Sequence, residues 1–94
     1  MAILVNEKAN MKYRSRDDII GSILQYADNK EGVMKTRIMY NSFLSYSQLN
    51  EYTDHLIKND LLSYSKEGKR FRITEKGRKF LDLYNEIVGM IKIN

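Results

Sequence analysis

The hydrophobic period of this chain changes twice, and that constrains its fold more than any other feature. From Ile19 to Leu61 the apolar residues recur three or four positions apart. From Leu61 to Thr74, "LLSYSKEGKRFRIT", they alternate, and after Thr74 a helical stripe resumes. A face repeating every 3.6 residues belongs to a helix and one repeating every two belongs to a strand, so helices and a hairpin must coexist. "LLSYS" and "RFRIT" read as the strands, with "KEGK" between them and Gly68 at the tip.

The helical stretches carry their own start signals. Ser15 with Asp18 forms a capping-box pattern ahead of Ile19, Ile20, Ile23, Leu24 and Ala27, which predicts helix one over about residues 16–29. Gly32 is available for the left-handed turn that follows. Helix two is predicted at about 35–42, with Ile38, Met39 and Phe43 turned inward. Ser45 with Gln48 is a second capping box and starts helix three, which runs to about Asn59 on a buried stripe of Leu49, Tyr52, Leu56 and Ile57, with Thr53 also inward. Only three or four residues separate helices two and three, the spacing of a helix-turn-helix. Thr74 caps a last helix, about 75–93, whose stripe is Phe80, Leu81, Tyr84, Ile87, Val88 and Ile91. The order helix, helix, helix, hairpin, helix is that of an α+β winged helix-turn-helix. Residues 1–12 read as an N-terminal arm, and 13–94 as one domain.

Composition narrows what such a domain can do. With no cysteine, a disulfide framework and a thiolate metal site are both excluded. The single histidine, His55, has no second imidazole to share a metal. The serines have no plausible base beyond it, and no Gly-rich phosphate loop is present. The expectation is no catalytic residue, no metal and no cofactor. No apolar run is long enough to span a membrane, and "AILV" at residues 2–5 is too short for a secretory core, so the expected location is cytoplasmic.

Charge points to nucleic acid. The formal net charge is +4, but residues 66–79 hold seven bases against two acids, a local +5. Lys66, Lys69, Arg70 and Arg72 put that charge on the hairpin, where it can follow a phosphate backbone. Lys35, Thr36 and Arg37 open helix two, and its unpaired N–H groups suit a phosphate. Basic residues there run against the helix dipole, which argues for function over stability. On helix three, Ser45, Tyr46, Ser47, Asn50 and Glu51 lie near the N-terminal end that meets base edges in such folds. Asn50 has the groups to read adenine and Glu51 those to accept from cytosine. The helix carries no Arg or Lys before Lys58, so modest sequence specificity is expected.

The run "KTRIMYNSFLSYSQLNEYTDHLIKNDLL", Lys35 to Leu62, resembles the archaeal winged helix-turn-helix family of small Sulfolobus-type DNA-binding proteins and ArnR-like regulators. "YSKEGKRFRITEKGRKFL" resembles the family's wing and the opening of its final helix, with the T-x-K-G turn at Thr74, Lys76 and Gly77. Two positions depart from the pattern: Thr53 stands where the family has Leu, and Asp60 where a Gly ends helix three. The resemblance implies double-stranded DNA binding, a nucleoid-associated location and a homodimer joined through the C-terminal helix. The apolar residues Phe80, Tyr84, Ile87, Val88 and Ile91 are the expected interface. Low net charge favours a transcriptional regulator. An architectural chromatin protein and a protein–protein interaction module are the alternatives.

Overall fold

The computed structural model describes residues 14–91. Its elements in chain order are α1 (Arg16–Tyr26), α2 (Lys35–Ser42), α3 (Tyr46–Lys58), β1 (Leu62–Ser65), β2 (Arg70–Ile73) and α4 (Glu75–Met90). The expected arm, residues 1–12, lies outside the described residues, as do 92 and 93 of the expected last helix. The described part of that helix ends at Met90.

Three helix starts form as their sequences dictate. Ser15 and Asp18 exchange both capping-box bonds at 3.1 Å. Ser45 and Gln48 do the same at 3.0 and 3.1 Å. The Thr74 hydroxyl accepts from the Gly77 N–H at 2.9 Å and donates to the Asp60 carbonyl at 2.6 Å. Gly77 is required by close approach: a Cβ there would stand 2.1 Å from the Leu61 carbonyl oxygen. Helix α1 stops at Tyr26, short of the predicted 29. The Asn29 side chain accepts from the Glu31 N–H and turns the chain toward Gly32, which takes φ 83°.

The hairpin is antiparallel, with Leu62 opposite Ile73 and Tyr64 opposite Phe71 on one face and Ser63 opposite Arg72 and Ser65 opposite Arg70 on the other. Leu62 and Phe71 reach the core. On its outer edge β2 pairs with Val33, which exchanges both backbone bonds with Phe71 at 2.8 Å. The loop before α2 is thereby held along the wing. Ile23, Leu24, Ile38, Leu49 and Leu56 form the fully buried centre, and Leu81 closes it from α4.

Two inward assignments, Phe43 and Ile57, need correction, and Tyr84, expected at the interface between copies, packs within its own chain. Phe43 is exposed, because the chain turns sharply there with φ 56°, ψ 43°, and its side chain leaves the helix-two stripe. Ile57 is exposed on the edge of α3, where no described element covers it. Tyr84 is half-buried within its own chain. Its ring lies across Gly21 of α1, so close that a Cβ on Gly21 would meet it at 2.9 Å, and its hydroxyl donates to Asp18. Thr53, in contrast, is buried as expected, and its hydroxyl is satisfied by the Asn50 carbonyl at 3.2 Å. Asp60 takes the left-handed turn after α3 with φ 61°.

Candidate nucleic-acid interface

The start of α2 differs from the other helix starts. Its N-cap, Met34, makes no side-chain bond, and its first turn holds no acid. Lys35, Thr36 and Arg37 stand where an anion would otherwise satisfy the open N–H groups. Lys35 crosses to α3: its ammonium donates to the Asn50 Oδ1 and sits 5.0 Å from the Tyr46 ring centroid. Three residues singled out from sequence thus meet at one corner, the basic opening of α2 against the N-terminal half of α3. Thr36, Arg37, Tyr46 and Ser47 are exposed around it.

The Lys35 bond alters what Asn50 can read. A bidentate contact with adenine needs Oδ1 as acceptor and Nδ2 as donor. With one of its two lone pairs taken by Lys35, Oδ1 is held in place and is a weaker acceptor for adenine, while the Nδ2 donor stays open for a purine N7 or a phosphate oxygen. Ser45 has its hydroxyl committed to the cap. Glu51 is not at this corner, because 100° of helical rotation per residue carries it away from Asn50. It lines a cleft of about 280 Å³ between α1 and α3, together with Arg16, Ile20 and His55.

The bases of residues 66–79 divide into two groups. Arg70 donates to the Gly32 carbonyl at 3.2 Å, and Arg72 to the carbonyls of Lys30 at 3.2 Å and Glu31 at 3.0 Å. Both sit on the wing face beside the Val33 bridge, so they knit the wing to the loop before α2. A carbonyl partner fixes a guanidinium without cancelling its charge. Lys76 donates to the Asn59 carbonyl at the end of α3, and Arg78 forms a two-pronged pair with Asp28 at 2.6 and 2.9 Å. The Arg78 hydrogen bond is the main cause that holds the Asp28 carboxyl below its ordinary range. Lys66 and Lys69, at the wing tip, and Lys79 on α4 make no such bond among the described residues. Lys69, rather than Gly68, takes the left-handed position of the turn, with φ 53°.

On α4 the expected interface residues also separate. Phe80, Tyr84 and Val88 are half-buried, and the Phe80 and Tyr84 rings lie nearly parallel with centroids 6.5 Å apart. Ile87 and Ile91 are exposed, and Leu83 and Met90 join them on the same side. The steps from 80 to 83, 87 and 90 are three, four and three residues, the spacing of a coiled-coil seam. That spacing was the signal for Leu83 and Met90, which a single stripe drawn through Tyr84 passes over.

A helix-turn-helix with a hairpin on its flank is thus fixed by geometry, and the winged helix-turn-helix family matches residues 13–92. The chain belongs to that family. A solved relative, Sso10a-2, a DNA-binding protein from Sulfolobus solfataricus, superposes with a TM-score of 0.71 at 28% identity, covering 82% of this chain and 81% of the other. An uncharacterised protein of Methanocaldococcus jannaschii, MJ0287, is 35% identical over 89 residues, 94% of this chain and 86% of its own length. The likeness to archaeal winged helices drawn from "KTRIMY" and "SYSQL" therefore holds across the domain. Among the described residues, no helix is long and apolar enough to cross a membrane, and no group of His, Cys, Asp or Glu is placed to hold a metal.

Proposed function

We propose that this chain binds double-stranded DNA as a homodimer and acts as a transcriptional regulator. The observation that carries the reading is the Lys35–Asn50 bond, which joins an uncapped basic helix start to the N-terminal half of α3. In this arrangement α3 enters the major groove with Ser47 and the Asn50 amide leading. The opening of α2, Lys35 to Arg37, takes a phosphate, and Lys66 and Lys69 take the backbone further along. Tyr46 supports Lys35, and Arg70 and Arg72 hold the wing at its angle while adding positive field. The relative Sso10a-2 is described as a DNA-binding protein, which supports the same class of partner here. Dimerisation rests on the exposed seam of Leu83, Ile87, Met90 and Ile91, flanked by Phe80 and Val88. An apolar face of that spacing is covered most simply by a second copy about a twofold axis.

Titration of duplex DNA at several salt concentrations tests binding. Log affinity is expected to fall with log salt by roughly 0.9 per phosphate neutralised. Absence of binding at low salt sinks the reading. Light scattering of wild type and Ile87→Asp tests assembly, with a dimer expected for the first and a monomer for the second. An architectural role in the nucleoid is the second reading. It is favoured by the engaged Oδ1 of Asn50 and by the lack of Arg or Lys on α3 before Lys58. Selection of bound fragments from random duplexes separates the two: a consensus supports a regulator, and none supports an architectural protein.

A further inference from the structure

From the second half of α2 to the start of α3, three aromatic residues are exposed within seven positions: Tyr40 is 73% exposed, Phe43 52% and Tyr46 60%. Phe43 is the anomaly among them. It occupies the left-handed region, with φ 56° and ψ 43°, where Gly or Asn is favoured and a bulky side chain is strained. Burial does not offset that strain, since more than half of the residue is in water. A phenylalanine that neither the backbone nor the core calls for points to a partner.

The surroundings define the partner's chemistry. From Gly32 to Asn50 the sequence contains no acid, while Lys35 and Arg37 supply two cations. The uncapped start of α2 adds the positive end of its dipole. A ligand suited to this surface has flat faces for the rings and negative charge for the cations. Nucleic acid with unpaired bases has both, and a closed duplex hides its base faces by stacking them on one another.

We propose that Tyr40, Phe43 and Tyr46 form a stacking surface for unpaired bases, with Lys35 and Arg37 holding the adjoining phosphates. The chain then binds single-stranded nucleic acid, or the unpaired bases of an opened duplex, in addition to closed duplex. The proposal shares its cations with the duplex reading above, but Tyr40 and Phe43 have no part in that reading, so the two can fail separately.

Fluorescence anisotropy with a labelled 12-nucleotide oligothymidylate and a labelled 20-base-pair duplex tests it at low salt. Wild type is expected to bind the oligothymidylate saturably. Phe43→Asn suits the left-handed backbone and should stay folded, as circular dichroism would verify. It is expected to weaken oligothymidylate binding about tenfold, the order of one lost base–aromatic stack, while duplex affinity stays within twofold. Tyr40→Ala provides a second variant with the same expected pattern. A 5-bromodeoxyuridine oligomer should photo-cross-link to Tyr40 or Phe43. No saturable oligothymidylate binding, equal losses on both ligands, unchanged oligothymidylate binding in both variants, or cross-links confined to other regions each overturn the proposal. Oligothymidylate binding that meets these expectations without duplex binding upholds it and removes the duplex reading.

Discussion

Four helices begin among the described residues, and three of them begin alike. Helices α1, α3 and α4 open on Ser15, Ser45 and Thr74, each with a hydroxyl accepting from the third residue of the helix. Helix α2 opens on Met34, with no side-chain bond and with Lys35 and Arg37 in place of an acid. The capped starts are satisfied from within the chain. The uncapped one bonds its third N–H, that of Arg37, only to the Met34 carbonyl at 3.1 Å, and it sets cations beside the first two N–H groups and the dipole, an arrangement that suits an external anion better than it suits stability. The difference teaches where to look for function: at the one element the local rules would have built otherwise.

The contrast can be attacked from both sides. Gly77→Ala should have the largest effect, because the new methyl has nowhere to go but into the Leu61 carbonyl at the capped start of α4. A loss of about 3 kcal/mol or more is expected, seen as a collapse of the denaturation midpoint. Ser45→Ala removes the acceptor of an internal cap and should cost about 1 kcal/mol, or roughly 4–8 °C in melting temperature for a domain of this size. Met34→Asp tests the opposite case. Met34 is exposed and already has extended N-cap geometry, so the new carboxylate should cap α2 and stabilise the fold by about 0.5–1 kcal/mol. The same carboxylate should weaken duplex binding. A variant that gains stability and keeps full affinity breaks the comparison.

The contact between α1 and α4 gives a pH test of a capped start. Burial pulls the Asp18 carboxyl upward, but the Tyr84 hydroxyl and the Ser15 donors outweigh it and hold Asp18 below its ordinary value. Burial and the Asp18 hydrogen bond push the Tyr84 hydroxyl well above 10. A lowered carboxylate contributes stability above its unfolded value, near 4, and loses it as pH falls through the folded value. A raised phenol contributes stability below about 10 and loses it as pH rises further. The melting temperature should therefore fall at both extremes, and Tyr84→Phe should flatten the alkaline limb. The smallest stability effect belongs to the wing tip. Lys69→Ala should stay within about 0.5 kcal/mol of wild type yet reduce the salt dependence of duplex binding by roughly 0.9.

Much of this is legible in the sequence alone. The caps at Ser15, Ser45 and Thr74 are local, depending on residues three apart, and so they read directly from the chain. The alternation of "LLSYS" and "RFRIT" located the wing, and Lys35 with Arg37 marked α2 as anomalous. Phe43 was misplaced because apolarity argued for the core while a left-handed turn, which no local signal at a phenylalanine announces, carried it outward. Ile57 lay at the edge of its stripe, where the covering neighbour decides burial. Arg70 and Arg72 counted as wing charge, and only the Val33–Phe71 bridge revealed the carbonyls they hold.

By itself, then, the sequence determined the kinds and order of the elements, their capped starts and the sign of the charge on each, since these follow from period and short-range bonding. The tertiary structure decided which residues meet across long separations: Lys35 with Asn50, Tyr84 with Asp18 and Gly21, Arg72 with the loop at 30–31. Such pairings depend on how whole elements pack. A side chain with several acceptors within reach is assigned only when packing has brought one of them close.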